Sequence, residues 1–142
     1  MPSATIELRS VDGTGAALGW AGGHTIVVDR PDGRAGGSGL GFNGAQLLGL
    51  AIGGCFCNDL RYVAEERGVR LRRIAVTVTV EMAGDPLLTT AATMIVDCAT
   101  DDGSDPNDVI ERARATCMVS NSIARGIPVS IVAGNPLFTT SP

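Results

Sequence analysis

The sequence is short of several things, and each shortage excludes something. It has no run of lysine or arginine that could follow a phosphate backbone, and its net charge is −4. Nucleic acid and an anionic membrane surface are therefore not expected as partners. It has no long hydrophobic run. The most apolar stretch, residues 45–56, is twelve residues, too short for a bilayer, and reads as a buried helix. The first ten residues show no basic start followed by an apolar segment, so no secretory leader is expected and the cytoplasm is the expected location. Histidine occurs once, at His24, which leaves little for a zinc site or a nucleophile–histidine pair. Four cysteines are too few for a disulfide scaffold. They are expected as thiols, with any disulfide transient and redox-active. No repeat, linker or low-complexity segment divides the chain, and one domain over residues 1–142 is the expectation.

What is present has the balance of a globular protein: 44% apolar and 18% charged residues. That is too apolar for a disordered chain. Residues 4–10 alternate apolar and polar side chains, and 16–20 and 24–28 read as two more strands separated by Gly22-Gly23. An N-terminal antiparallel meander follows from this. Residues 31–41 form a long glycine-rich loop, which must be either mobile or packed close to something.

The period then changes. Residues 43–67 carry leucine and alanine at helical spacing and close on Gly68, predicting a helix roughly 37 Å long at 1.5 Å per residue. Its first half is apolar all round and should be enclosed by protein, while 59–67 should reach solvent. Residues 71–82 alternate through Ile74, Val76, Val78 and Val80, the clearest strand in the chain. Asp85-Pro86 turns it and 88–98 returns as its partner. A second helix starts near Pro106, capped by Ser104 or Asp105, and ends near Gly126, with Val109, Ile110, Ala113 and Cys117 on one side. A last strand is predicted over 127–132. The fold class is α+β, with helices against antiparallel sheet.

Cys55 lies mid-helix, on one line with Leu47, Ala51 and Asp59. The glycines Gly53-Gly54 cost the helix about 1 kcal/mol each relative to alanine. That cost suggests close approach of another element, the helix carrying Cys117 being the obvious candidate. A cysteine on each of two apolar helices meets the other only if the helices pack together. The plain alternative is that both are small core hydrophobes. Cys57, about 200° around the helix from Cys55, and Cys98, alternating with Val96, keep that reading. Cys55-Phe56-Cys57 is not the usual ligand spacing for zinc, and no metal is expected.

Residues 41–48 and Gly53-Gly54-Cys55-Phe56 resemble the first-cysteine helix of the OsmC/Ohr family, which contains organic hydroperoxide reductases. Cys117-Met118-Val119-Ser120-Asn121-Ser122, followed by Gly126-Ile127-Pro128-Val129, resembles that family's second-cysteine motif. The resemblance covers about residues 24–133. It implies an OsmC-like fold of antiparallel sheets around two central helices, in an intertwined homodimer whose subunits both contribute to each active site. It also implies a thiol-dependent peroxidase in oxidative-stress defence, with Cys55 and Cys117 catalytic and no cofactor. The Cys55 thiolate would attack an organic hydroperoxide and become a sulfenic acid, Cys117 would condense with it to a disulfide, and an external dithiol, in part of the family a lipoylated protein, would reduce the pair. In the peroxidase branches an arginine activates the first cysteine and a glutamate orients it. Here the glutamate position is Ala45. Arg9, Arg30 and Arg34 are candidates for the arginine by location alone, the plain reading of each being a solvated charge. The alternative function is a non-peroxidase OsmC-like protein that binds a small ligand or senses redox state.

Overall fold

A computed structural model describes residues 1–134. The chain runs through strands β1 (Glu7–Ser10), β2 (Ala17–Ala21) and β3 (His24–Val28), helix α1 (Gly44–Glu66), strands β4 (Leu71–Ala83) and β5 (Leu88–Thr100), and helices α2 (Asn107–Thr116) and α3 (Met118–Arg125). β1, β2 and β3 form an antiparallel meander, and β4 and β5 a long antiparallel hairpin. This is the α+β class expected. Its order departs from the sequence reading in two places. The second helix is broken at Cys117, whose ψ of 113° is extended. The strand expected at 127–132 does not form. Gly126 (φ 76°) closes α3, and beyond it Val129 and Ile131 stand 77% and 95% exposed. The segment alternates like a strand but pairs with no strand among the described residues.

The hairpin behaves as its alternation predicts. Ile74, Val76, Val78 and Val80 are half-buried on one face of β4, opposite Cys98, Val96, Met94 and Ala92 of β5. α1 lies on that face. Its glycines allow the approach: a Cβ on Gly53 would come within 3.0 Å of a Val78 methyl, and one on Gly49 within 3.5 Å of Val80. The close neighbour of Gly53 is thus the β4 strand rather than the Cys117 helix. A Cβ on Gly54 would meet nothing within 4 Å among the described residues.

The core lies toward the C-terminal half of α1. Phe56, Leu60, Val63 and Ala64 pack with Leu71, Cys98, Val109, Ala113 and Cys117. This reverses the expectation that the first half of α1 would be the enclosed one. That half is more apolar, but the folded chain leaves Leu50, Ala51 and Gly54 exposed. The later half buries one face and keeps its charges, including Arg61, Glu65 and Glu66, on the other.

The start of α1 is fixed by a capping box. Asn43 Oδ1 accepts from the Gln46 N–H at 3.0 Å, and Gln46 Oε1 accepts from the Asn43 N–H at 3.0 Å, which satisfies two of the free donors at a helix end. The glycine-rich loop before it is packed close rather than loose. Asp29, its side chain fully buried, accepts hydrogen bonds from the backbone N–H of Arg30, Ser38 and Leu40. Gly41 runs so close to the Val27 carbonyl that no Cβ would fit, and Phe42 exchanges backbone hydrogen bonds with Val27 and Asp29. The loop and the meander therefore deliver the chain to the first turn of α1.

Candidate functional site

Cys55 and Cys117 do meet. Their sulfurs and a carboxylate oxygen of Asp59 all lie within 4.8 Å of one another. Both thiols are free, as are those of Cys57 and Cys98. Cys55 is half-buried on α1 and Cys117 is 1% exposed. Asp59 follows Cys55 by one helical turn, and its Oδ2 accepts from the Cys55 thiol at 3.7 Å.

The break between α2 and α3 positions the second sulfur. An uninterrupted helix would carry the chain past Cys117 along a single axis. Instead Cys117 lies between the two helices, the C-cap of one and the N-cap of the next. Asn121 holds this joint. Its side-chain amide donates to the carbonyls of Cys117, Ala115 and Arg114 at 2.8, 3.3 and 3.5 Å, satisfying acceptors that the end of α2 would otherwise leave open. Its backbone N–H also reaches the Cys117 carbonyl. Ser120, one turn into α3, accepts from the Cys117 thiol at 3.4 Å.

The electrostatics of Cys55 are not those of an activated thiolate. Burial pushes its thiol up from the ordinary value, the Val119 N–H pulls the other way, and Cys117 and the Asp59 carboxylate add to the rise. Of the candidate arginines, Arg9 lies over the Trp20 ring, 5.7 Å from its centroid. Arg30 binds the Gly15 carbonyl and the Asp29 carboxylate. Both belong to the meander and its loop. Ala45, on the first turn of α1, carries no functional group, and its neighbour Gln46 is engaged in the helix cap.

Of the other two cysteines, Cys98 belongs to the core and half-buried Cys57 does not. Cys57 faces the groove between α1 and β4, with Val76 and Val78. Cys98 is buried in the core, where burial raises its thiol. His24 is exposed at the start of β3. A second groove, about 520 Å³, lies between α1, β5 and α3. Leu48, Ile52, Met94 and Ile123 give it apolar walls, and Ser120 brings it beside Cys117.

Sequence reasoning placed Asp59 on the Cys55 line without giving it a role. It missed Asp29, for which only the glycine-rich loop behind it was a signal. Asn121 and Ser120 stood in the second-cysteine motif, but their contacts depend on the break at Cys117.

A paired-thiol α+β protein, with one sulfur on a long central helix and the other at a helix joint, is the class these features define. The family model for OsmC-like proteins matches residues 36–132, more than half of the chain, and the chain belongs to that family. Solved structures agree on the fold. An OsmC-like protein of unknown function from Vibrio cholerae superposes with a TM-score of 0.71 at 10% identity, over 86% of this chain and 94% of that one. An organic hydroperoxide resistance protein OsmC from Legionella pneumophila gives 0.61 at 20% identity, over 87% and 90%. OhrB, the organic hydroperoxide resistance protein of Bacillus subtilis, gives 0.58 at 21% identity, over 84% and 89%. No curated protein matches the chain. Among the described residues, no helix is long and apolar enough to cross a membrane.

Proposed function

We propose that the protein is a thiol-dependent organic hydroperoxide reductase of the cytoplasm, working through a Cys55–Cys117 dithiol/disulfide cycle. The observation that carries this reading is the meeting of the two free sulfurs within 4.8 Å, although they stand 62 positions apart in the sequence. Cys55, the more accessible of the two, attacks the terminal oxygen of the hydroperoxide as a thiolate. The O–O bond breaks, the alkoxide leaves and takes a proton to become the alcohol, and Cys55 is left as a sulfenic acid. Cys117 displaces hydroxide from that sulfur, which leaves as water once protonated, and a disulfide forms. An external dithiol, a lipoylated protein being one candidate, returns both sulfurs to thiols. The apolar groove beside Ser120 suits an organic hydroperoxide better than hydrogen peroxide. The names of the Legionella and Bacillus relatives point the same way.

The assembly that goes with this reading is an intertwined homodimer. Its support is the apolar surface that one chain leaves open on α1 and at 127–132.

A second reading has a specific observation behind it. The charged group next to Cys55 is an anion, Asp59, and it opposes thiolate formation. An OsmC-like protein that binds a small ligand or senses redox state would tolerate this better than a fast peroxidase.

Thiol mass spectrometry after one equivalent of cumene hydroperoxide, with peroxide loss followed in parallel, separates the two. The peroxidase reading expects loss of two thiols per chain, a Cys55–Cys117 disulfide, and peroxide consumption by Cys55→Ser at the background rate. A Cys55→Ser protein that consumed peroxide as fast as wild type would end that reading.

A further inference from the structure

We propose that the reduced site binds one zinc-like divalent cation through Cys55, Asp59 and Cys117. Three donors of the right kind converge there. Two sulfurs and a carboxylate oxygen within 4.8 Å of one another are close to the spacing that a tetrahedral ion needs. With zinc–sulfur bonds of about 2.3 Å, the two sulfurs would stand roughly 3.8 Å apart. The separation of Cys55 Sγ from Asp59 Oδ2, 3.7 Å, already fits such an edge. Side-chain rotation supplies the remainder, because Cys55 and Asp59 project from adjacent turns of one rigid helix.

The charge argument is independent of the geometry. An anion beside a nucleophilic cysteine works against its thiolate. The same anion beside two thiolates works for a cation, and thiolate with carboxylate is a donor set for a borderline-soft divalent ion. The surroundings support the ligands. The Val119 N–H points to the Cys55 sulfur, and the Ser120 hydroxyl, which accepts from the Cys117 thiol, can turn to donate once that sulfur is a thiolate. Three protein ligands leave a fourth position for water. Linear spacing hid this set, since its members come from α1 and from the α2–α3 joint.

Binding releases two thiol protons, and oxidation reverses it. A hydroperoxide and two protons acting on the zinc dithiolate give the disulfide, the alcohol, water and the free Zn²⁺ ion. This release step rests on the disulfide cycle proposed above, whereas the cation site itself does not. A bound cation would also shield both sulfurs, so Zn²⁺ should slow peroxide consumption and a chelator should restore it.

The test is an anaerobic titration of the reduced, desalted protein with Co²⁺, followed by displacement with Zn²⁺. The expected result is one ion per chain, with a thiolate-to-cobalt charge-transfer band that disappears on adding Zn²⁺. Cys55→Ser and Cys117→Ser should lose the band, and Cys57→Ser should keep it. Asp59→Asn should weaken binding by about tenfold or more while both thiols stay titratable, and Asp59→Ala serves as a second variant if the first does not fold. The disulfide form should bind no cobalt. No thiolate band in wild type, a band that survives Cys55→Ser, or unchanged affinity in Asp59→Asn would overturn the site. Peroxide turnover measured in excess chelator is read separately. Turnover without cobalt binding removes the cation site alone, and cobalt binding without turnover removes the peroxidase reading alone.

Discussion

Asp29 shows how one residue can hold a segment whose sequence looks loose. Its buried carboxylate accepts from three backbone N–H groups across residues 30–40 and pairs with Arg30. The hydrogen bonds from Leu40, Ser38 and Arg30, with the Arg30 charge, hold its carboxyl below the ordinary value against the opposing effect of burial. A depressed folded-state value means that the carboxylate stabilises the fold above the unfolded value of about 3.9. That contribution fades as pH falls through the lower folded value. Asp29→Asn should therefore lower Tm by several degrees at pH 7. The gap from wild type should narrow below about pH 4, as wild type loses the same charge. Thermal melts from pH 7 to pH 3 check this, and a gap that widened at low pH would contradict it. Nothing in the local pattern marked Asp29, because its partners lie up to eleven residues away on a loop read only as glycine-rich. Its neighbour Arg30, a candidate activator of Cys55 by location, serves the same loop instead.

The elements were mostly legible where periodicity was clear and one chain supplied the packing. The β4 alternation, the α1 boundaries and the N-terminal meander all appear in the structure close to their expected limits. The helix joint at Cys117 was not legible. Neither proline nor glycine stands there, and helical apolar spacing runs through it from Val109 to Ile123. The break is held by local side-chain-to-backbone contacts that cross it, chiefly Asn121 closing over the last carbonyls of α2. This joint connects fold to chemistry, because it sets where Cys117 points. Asn121→Ala removes a half-buried donor shared by three carbonyls, at a cost of about 1 to 2 kcal/mol. It should also slow closure of the Cys55–Cys117 disulfide more than it slows the first attack on peroxide. Stopped-flow measurement of sulfenic acid decay in the variant tests this. Equal decay in variant and wild type would mean that the joint holds its geometry without the amide. The two sulfurs were legible as a pair through motif resemblance; the glycine argument for a Cys117 helix beside Gly53 pointed to the wrong neighbour, which is β4, and the spacing of 62 residues says nothing about contact. Their convergence with Asp59 required the joint.

At the scale of the molecule, one chain leaves its most apolar helix half uncovered. Leu50 is 52% exposed on α1, beside Ala51 and Gly54, and Gly54 has open space where its side chain would be. Two further surfaces share this character. Ile127, Val129, Ile131 and Val132 form an apolar segment unpaired among the described residues, and Leu8, Ile26 and Leu18 are exposed on the N-terminal sheet. Large contiguous apolar patches are uncommon on monomers, and each of these regions adds exposed apolar side chains to the single chain. A helix interior with consecutive glycines also accepts a helix-propensity penalty. Gly53 recovers that penalty through close contact with β4, whereas Gly54 has no such contact among the described residues. A second copy laid against α1 would explain the exposed leucine, the open glycine and the unpaired segment together. The first-half burial expected from sequence would then be correct for the assembly and wrong only for the single chain. Leu50→Arg places a charge in the middle of that surface. Light scattering should show wild type as a dimer and the variant as a monomer, with the concentration dependence of Tm present in wild type and lost in the variant. A wild-type protein that is monomeric at micromolar concentration would remove this account of α1. The penalty at Gly54 would then have no packing explanation, and Gly54→Ala should stabilise that monomer by about 1 kcal/mol.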